Sequence, residues 1–196
     1  MTKTLGPILA TALASLTLAA AQPNPHTSAI DVKQSKMTVY VFKEGLFAFA
    51  ADNHEVDAPI VAGSFDDAAK SIQIWVDASK MQVLDPQMAA DRRAKVQSNM
   101  AGPDVLDVAK YPKIIFQSTA IDVKDPADWT VSGNLTLHGQ MHPLSFHITR
   151  KDATHFSGAA LVRQTDFGIT PIRIAGGMVR VKNDVKVIFD IVLQAR

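Results

Sequence analysis

The chain is 196 residues long, 47% hydrophobic, free of cysteine, and carries a formal net charge of +1. That length suits one domain with a sizeable core. The charge balance leaves no basic excess to hold a phosphate backbone, which argues against nucleic acid as a partner, and the lack of Cys excludes thiol chemistry and disulfides.

At the N-terminus, Lys3 is followed by an apolar run from Leu5 to Ala21 that ends in Ala19-Ala20-Ala21 before Gln22. A basic start, an apolar stretch and small residues at its end read as a signal peptide over residues 1–21, cleaved on export to the periplasm or outside the cell. The alternative is a retained anchor, but the run is short for a span and is interrupted by Gly6-Pro7. No cysteine follows it to take a lipid, and no later segment suits a membrane-crossing helix. Residues 22–28, with two prolines, read as an extended linker, and residues 29–196 as a single domain.

Most of that domain alternates apolar and polar residues with the period of a strand. Met37 to Val41, Phe47 to Phe49, Ile72 to Val76, Ile114 to Ser118, Leu135 to His138, and Leu144 to Ile148 all do so, and Val185 to Leu193 starts alternating before becoming apolar on both faces. Short strands between turn signals predict an all-β fold, a sandwich or a barrel. Asp125-Pro126, Gly139 to Pro143, Lys151 to Thr154 and Gly176-Gly177 mark the turns.

One segment interrupts this pattern. Asp85 followed by Pro86 reads as a helix start, an acidic cap before proline at the first helical position. Helix-tolerant residues follow to Asn99, and Gly102-Pro103 ends the run. Asp104 then caps a shorter turn, and Tyr111-Pro112 launches the next strand.

Residues with catalytic or metal-binding chemistry are sparse. The sequence lacks a Gly-x-Ser-x-Gly elbow, a His-Glu-x-x-His pair and a glycine-rich phosphate loop. His138 and His142 bracket a turn, and Asp52-Asn53-His54-Glu55 gathers polar groups. A metal-dependent or histidine-based enzyme would use His54, Glu55, His138 and His142; the competing reading makes them solvated strand and turn positions. In Arg163 to Ile169, Asp166, Phe167 and Gly168 suit a sharp turn with Phe167 plugging the core, while Arg163 could meet an anion. No catalytic residue, metal or cofactor is assigned.

The apolar strand positions form the positive feature. Phe47, Phe49, Ile72, Ile74, Val76, Ile114, Phe116, Leu135, Leu137 and Phe146 share the inward faces. A closed sheet of about eight strands either fills its interior or holds one ligand. Met81, Met88 and Met100 gather near the helix, where methionine suits an adaptable lid or ordinary packing.

Ser35 to Val39, Tyr111 to Thr119, Gly133 to Gly139 continuing through His142-Pro143-Leu144, and Arg163 to Ile169, in this order, resemble the YceI-like family. The resemblance covers about residues 29–195. It implies an extended, lipocalin-like eight-stranded antiparallel barrel with a helix near its opening, in a periplasmic or secreted protein. It also implies binding of a polyisoprenoid or related lipid inside the barrel. Asp52 stands where some relatives carry the first His of a His-x-His-Glu stretch, which weakens a metal reading.

The expectation is therefore a non-enzymatic carrier. The lumen residues above, with Met88, Met100 and Phe167, would enclose the apolar chain, and Arg163 or Arg173 would meet a head group. A ligand-free, stress-related interaction module with a packed barrel is a further alternative, and an exposed sheet edge would permit a homodimer.

Overall fold

The alternating segments become one antiparallel wall. In the computed structural model, which describes residues 26–45, 53–174, 176 and 178–195, the chain rises through β1 (Thr27–Ala29) and β2 (Lys36–Val41), and forms β3 (Lys43–Glu44). It descends through β4 (His54–Asp57) and β5 (Ile60–Asp66), and rises again through β6 (Ser71–Asp77) and β7 (Gln82–Val83). After helix α1 (Ala90–Ala101) come β8 (Lys113–Val123), β9 (Asp128–Leu137), β10 (Gln140–Arg150) and β11 (His155–Arg163). Then follow β12 (Arg173–Ile174), β13 (Val179–Val181) and the long β14 (Asp184–Val192). β12, β13 and β3 form a small separate sheet at the end of the wall where α1 lies, which we call the mouth.

The wall closes on itself. β1 and β2 act as one interrupted strand, β1 pairing with β5 and β2 with β4 on one side. On the other side β2 pairs with β14, and Ile30 bridges Leu193. Asp31 N donates to Val192 O at 2.7 Å and Gln194 N to Ala29 O at 2.8 Å, completing that join. β7 pairs with β4 as β6 does with β5, so these too are single strands with a kink. The result is an eight-stranded barrel in the order β1–β2, β4–β5, β6–β7, β8, β9, β10, β11, β14. Closure leaves no free sheet edge running the length of the wall.

The interruption in the first strand is held locally. The Asp31 carboxylate accepts from the backbone N–H of Lys33 and Gln34, and Ser35 Oγ both donates to Val192 O and accepts from Val192 N. Thr27 and Ser28, placed by sequence in the linker, already pair with Asp66 and Phe65.

The end opposite the mouth is shut by aromatic rings. Trp129 lies 6.0 Å from Phe65 and 5.5 Å from Phe156, and Phe65 lies 5.7 Å from Phe156, ring centre to ring centre. Trp129 is only 2% exposed, and the Arg150 guanidinium covers its ring at 5.3 Å. Such pairs add to the large area each ring buries.

Two expectations about local structure are corrected. The helix does not begin at Asp85-Pro86: α1 starts at Ala90, and its cap residue Ala89 supplies no side-chain hydrogen bond. Asp85 is committed elsewhere, to His54 and the backbone of Glu55, so residues 86–88 form a separate turn. Pro143 is not in a turn either. The β9–β10 turn consists of His138 and Gly139, and Pro143 sits within β10 opposite Asn134. It is tolerated because that stretch of β10 pairs with β9 alone, whereas pairing with β11 spans only His147 to Arg150.

Candidate functional site

The inward faces of the eight strands enclose a cavity of about 220 Å³, counted as the room open to the centre of a water molecule. One water needs only about 10–15 Å³ of such room, so this is a lumen and not a packing defect. Among the described residues its wall is apolar except for Ser64 and Gln164, and no titratable side chain takes part. The Gln164 amide is itself occupied, donating to Lys182 O at 2.8 Å. The lumen therefore offers apolar surface and no acid or base.

Strand alternation sets this wall. Ile72, Ile74, Val76, Ile114, Phe116, Leu135, Leu137 and Phe146 all line the cavity. Gly133 makes room for one of them: a Cβ there would come within 2.6 Å of the Phe116 ring and 2.4 Å of Gln117 O. Phe116 and Phe146 pack at 5.2 Å, and Phe146 meets Phe189 at 5.5 Å. Met100, from α1, also faces the lumen.

The remaining sequence-selected residues fall elsewhere. Phe47 and Phe49 lie outside the described residues. Met88, half-buried in the turn before α1, is not part of the cavity wall, because the chain reverses at Asp85 before reaching the helix. Phe167 is buried but seats against the edge of the His142 ring at 5.2 Å instead of facing the lumen. Arg163 is turned outward beside Asp184, 3.4 Å away, while its neighbour Val162 lines the cavity. Arg173 is exposed on β12, directly across from Arg180.

The sequence reading left out several wall residues. Met37, Val39, Val56, Leu144, Val185, Val187, Phe189 and Ile191 all face the lumen. Except for Val56 of β4, their signal was the same alternation, present in β2, β10 and β14.

The mouth is roofed by apolar side chains from the segment between β6 and β8. Met81, Met100, Val105 and Leu106 contribute to the cavity wall there. Gln97 ties α1 to the barrel: its Oε1 accepts from Val83 N at 2.8 Å, and its Nε2 donates to Met81 O at 2.9 Å. The amide thus takes the place of a neighbouring strand along β7.

The histidines do not converge. His54 pairs with Asp85 at 2.6 Å. His138 is not on a strand face but is a half-buried turn residue with φ +51°, 3.1 Å from Phe167 O and edge-on to Tyr111. His142 packs on Phe167. Among the described residues, no three His, Asp or Glu side chains are grouped to hold a metal. On the outer wall His155 and Lys151 share the Asp190 carboxylate, the lysine at 2.7 Å. The Lys151 hydrogen bond, and then His155, hold that carboxyl below its ordinary value.

Comparison with known proteins sets this geometry in context. Residues 28–193 match the family model described as a YceI-like domain. A stretch of 118 residues is 35% identical to a UPF0312 protein of Pseudomonas savastanoi pv. phaseolicola, covering 55% of this chain and 59% of that one. A UPF0312 protein of Pseudomonas putida (strain W619) is 32% identical over 103 residues, 47% of this chain and 54% of that one. The chain therefore spans little more than half the length of these curated relatives. Among solved structures, Burkholderia cenocepacia BcnA superposes with a TM-score of 0.62 at 21% identity, over 84% of this chain and 99% of that one. A polyisoprenoid binding domain from Saccharophagus degradans, implicated in plant cell wall breakdown, gives 0.59 at 15% identity, over 87% and 99%. These two share the fold.

Proposed function

Since the chain belongs to the YceI-like family, we propose that it is an exported carrier that buries a long apolar molecule, a polyisoprenoid or similar lipid, in its barrel. The observation that carries this reading is the lumen: an apolar cavity of about 220 Å³ whose wall lacks any titratable group among the described residues. Such a space cannot hold ordered water with the two to four polar partners water needs. Filling it with hydrocarbon gains about 25 cal/mol per Å² of apolar surface removed from water.

The Saccharophagus degradans neighbour, described as a polyisoprenoid binding domain, supports an isoprenoid chain as the ligand class. The apolar run Leu5 to Ala21, ending in three alanines, supports export, with the carrier working in the periplasm or outside the cell. The reading is of a binding protein and not an enzyme.

Native mass spectrometry after removal of co-purified lipid tests it, with geranylgeraniol as the probe. The expected spectrum shows a one-to-one complex that survives gentle desolvation. Repeated arrival of the bare chain, after incubation with geranylgeraniol and with saturated long-chain alcohols, would overturn the reading.

A further inference from the structure

We infer that the seam between β10 and β11 is a side portal through which an apolar chain passes between a lipid bilayer and the lumen; this rests on the carrier reading. The ladder between these strands ends at His147 and Ala159, although β10 runs on to Gln140 and β11 to Arg163 toward the mouth. On their far sides the same stretches stay paired, with β9 and β14. Pairing is thus missing at this seam alone along both strands. Pro143, which has no N–H to give, stands in the unpaired stretch of β10.

The residues on either side suit a hydrocarbon in transit. Facing in, Leu144 and Phe146 of β10 and Ala160 and Val162 of β11 line the cavity. Facing out, Met141 on β10 is 65% exposed and Leu161 on β11 is 64% exposed, the two most exposed large hydrophobic residues described, one on each strand. Among the described residues, apolar side chains lie at both ends of the barrel, Met81, Met100 and Leu106 at the mouth and Trp129 at the far end. Between these ends, the unpaired seam is a gap in the backbone ladder of the wall.

Charge indicates what the lips meet. Lys186 is the cross-strand partner of Leu161, and Arg163 stands next to it, with Asp184 as the acid beside them. Apolar tips beside a net positive charge complement an anionic bilayer.

The chain lacks cysteine, so a Ser145→Cys, Leu161→Cys variant can be cross-linked across the seam with a short bis-maleimide or a disulfide, since both side chains face outward. The probe is geranylgeraniol supplied in vesicles of phosphatidylcholine and phosphatidylglycerol. The uncross-linked variant supplies the reference rate. The cross-linked form should load about tenfold or more slowly, with reduction of the disulfide restoring the rate. Equal rates would place entry elsewhere and overturn the portal. A Met141→Glu, Leu161→Glu variant is expected to load slowly from vesicles but normally from cyclodextrin. Unchanged vesicle loading overturns the bilayer contact, and so does a wild-type dimer that these glutamates dissolve. Failure of wild type to load from either source defeats the carrier reading itself, and the portal with it.

Discussion

His54 Nδ1 lies 2.6 Å from Asp85 Oδ2, while Asp85 Oδ1 accepts the backbone N–H of Glu55 at 2.8 Å. One buried carboxylate thus fastens β4 to the segment leading into α1, across a sequence separation of about thirty residues. It does so with a backbone φ of +23°, a conformation that L side chains rarely adopt. Asp85→Ala strands the Glu55 N–H and keeps the backbone cost, so unfolding free energy should fall by about 2 kcal/mol, with Tm lower by about 4–8 °C. Asp85→Gly relieves the backbone and should recover about 1 kcal/mol of that loss. Urea denaturation of the three proteins checks the order.

Asp190 sets a pH dependence. Its carboxyl is held below the ordinary value of 3.8, first by the Lys151 hydrogen bond and then by His155. A depressed native value contributes stability that is present above 3.8 and lost as pH falls through the native value. Wild type should therefore exceed Asp190→Asn in stability near neutrality, with the gap closing below pH 3.8. The gap is small because the pair is partly exposed to solvent, at 44% for Lys151 and 41% for Asp190. Thermal melts of both proteins across pH 2 to 7 measure it.

The aromatic plug carries much of the stability at the far end. Trp129→Ala removes a ring packed between Phe65 and Phe156 beneath Arg150 and should cost about 3–5 kcal/mol. The loss is read from the urea midpoint. A cost below about 1 kcal/mol would show that the plug is not a tightly packed unit.

Lumen volume can be separated from fold. Ala160 faces the cavity, and its cross-strand partner Val187 does too. Ala160→Trp projects a ring into open space, so stability should fall by no more than about 1–3 kcal/mol while bound geranylgeraniol is displaced. Ala159→Trp, one residue away on the outer face, should leave binding intact. Native mass spectrometry reads occupancy for both variants.

The wall was largely legible in the sequence because each strand has one dry face: Ile72, Ile74 and Val76, or Leu135 and Leu137, declare it by alternation alone. Asp85 misled because a carboxylate before proline satisfies the rules for a helix cap as well as those for a long-range clamp. Which one wins depends on His54 and Glu55, whose approach is a matter of tertiary structure. Phe167 was readable as a buried plug, but its burial against His142, outside the lumen, depends on how the turn after β11 folds over β10. Pro143 carried a local trace of the seam, a residue with no N–H in a strand. It became meaningful only once β11 was known to stop pairing beside it.

Calorimetric titration with saturated alcohols of increasing length tests most directly whether hydrocarbon burial in the lumen drives binding. Each added methylene should lower Kd about fourfold, from about 0.8 kcal/mol per buried CH₂, until the cavity is full. The heat capacity change on binding should be negative throughout. A Kd that ignores chain length, or binding without a negative heat capacity change, would contradict the account.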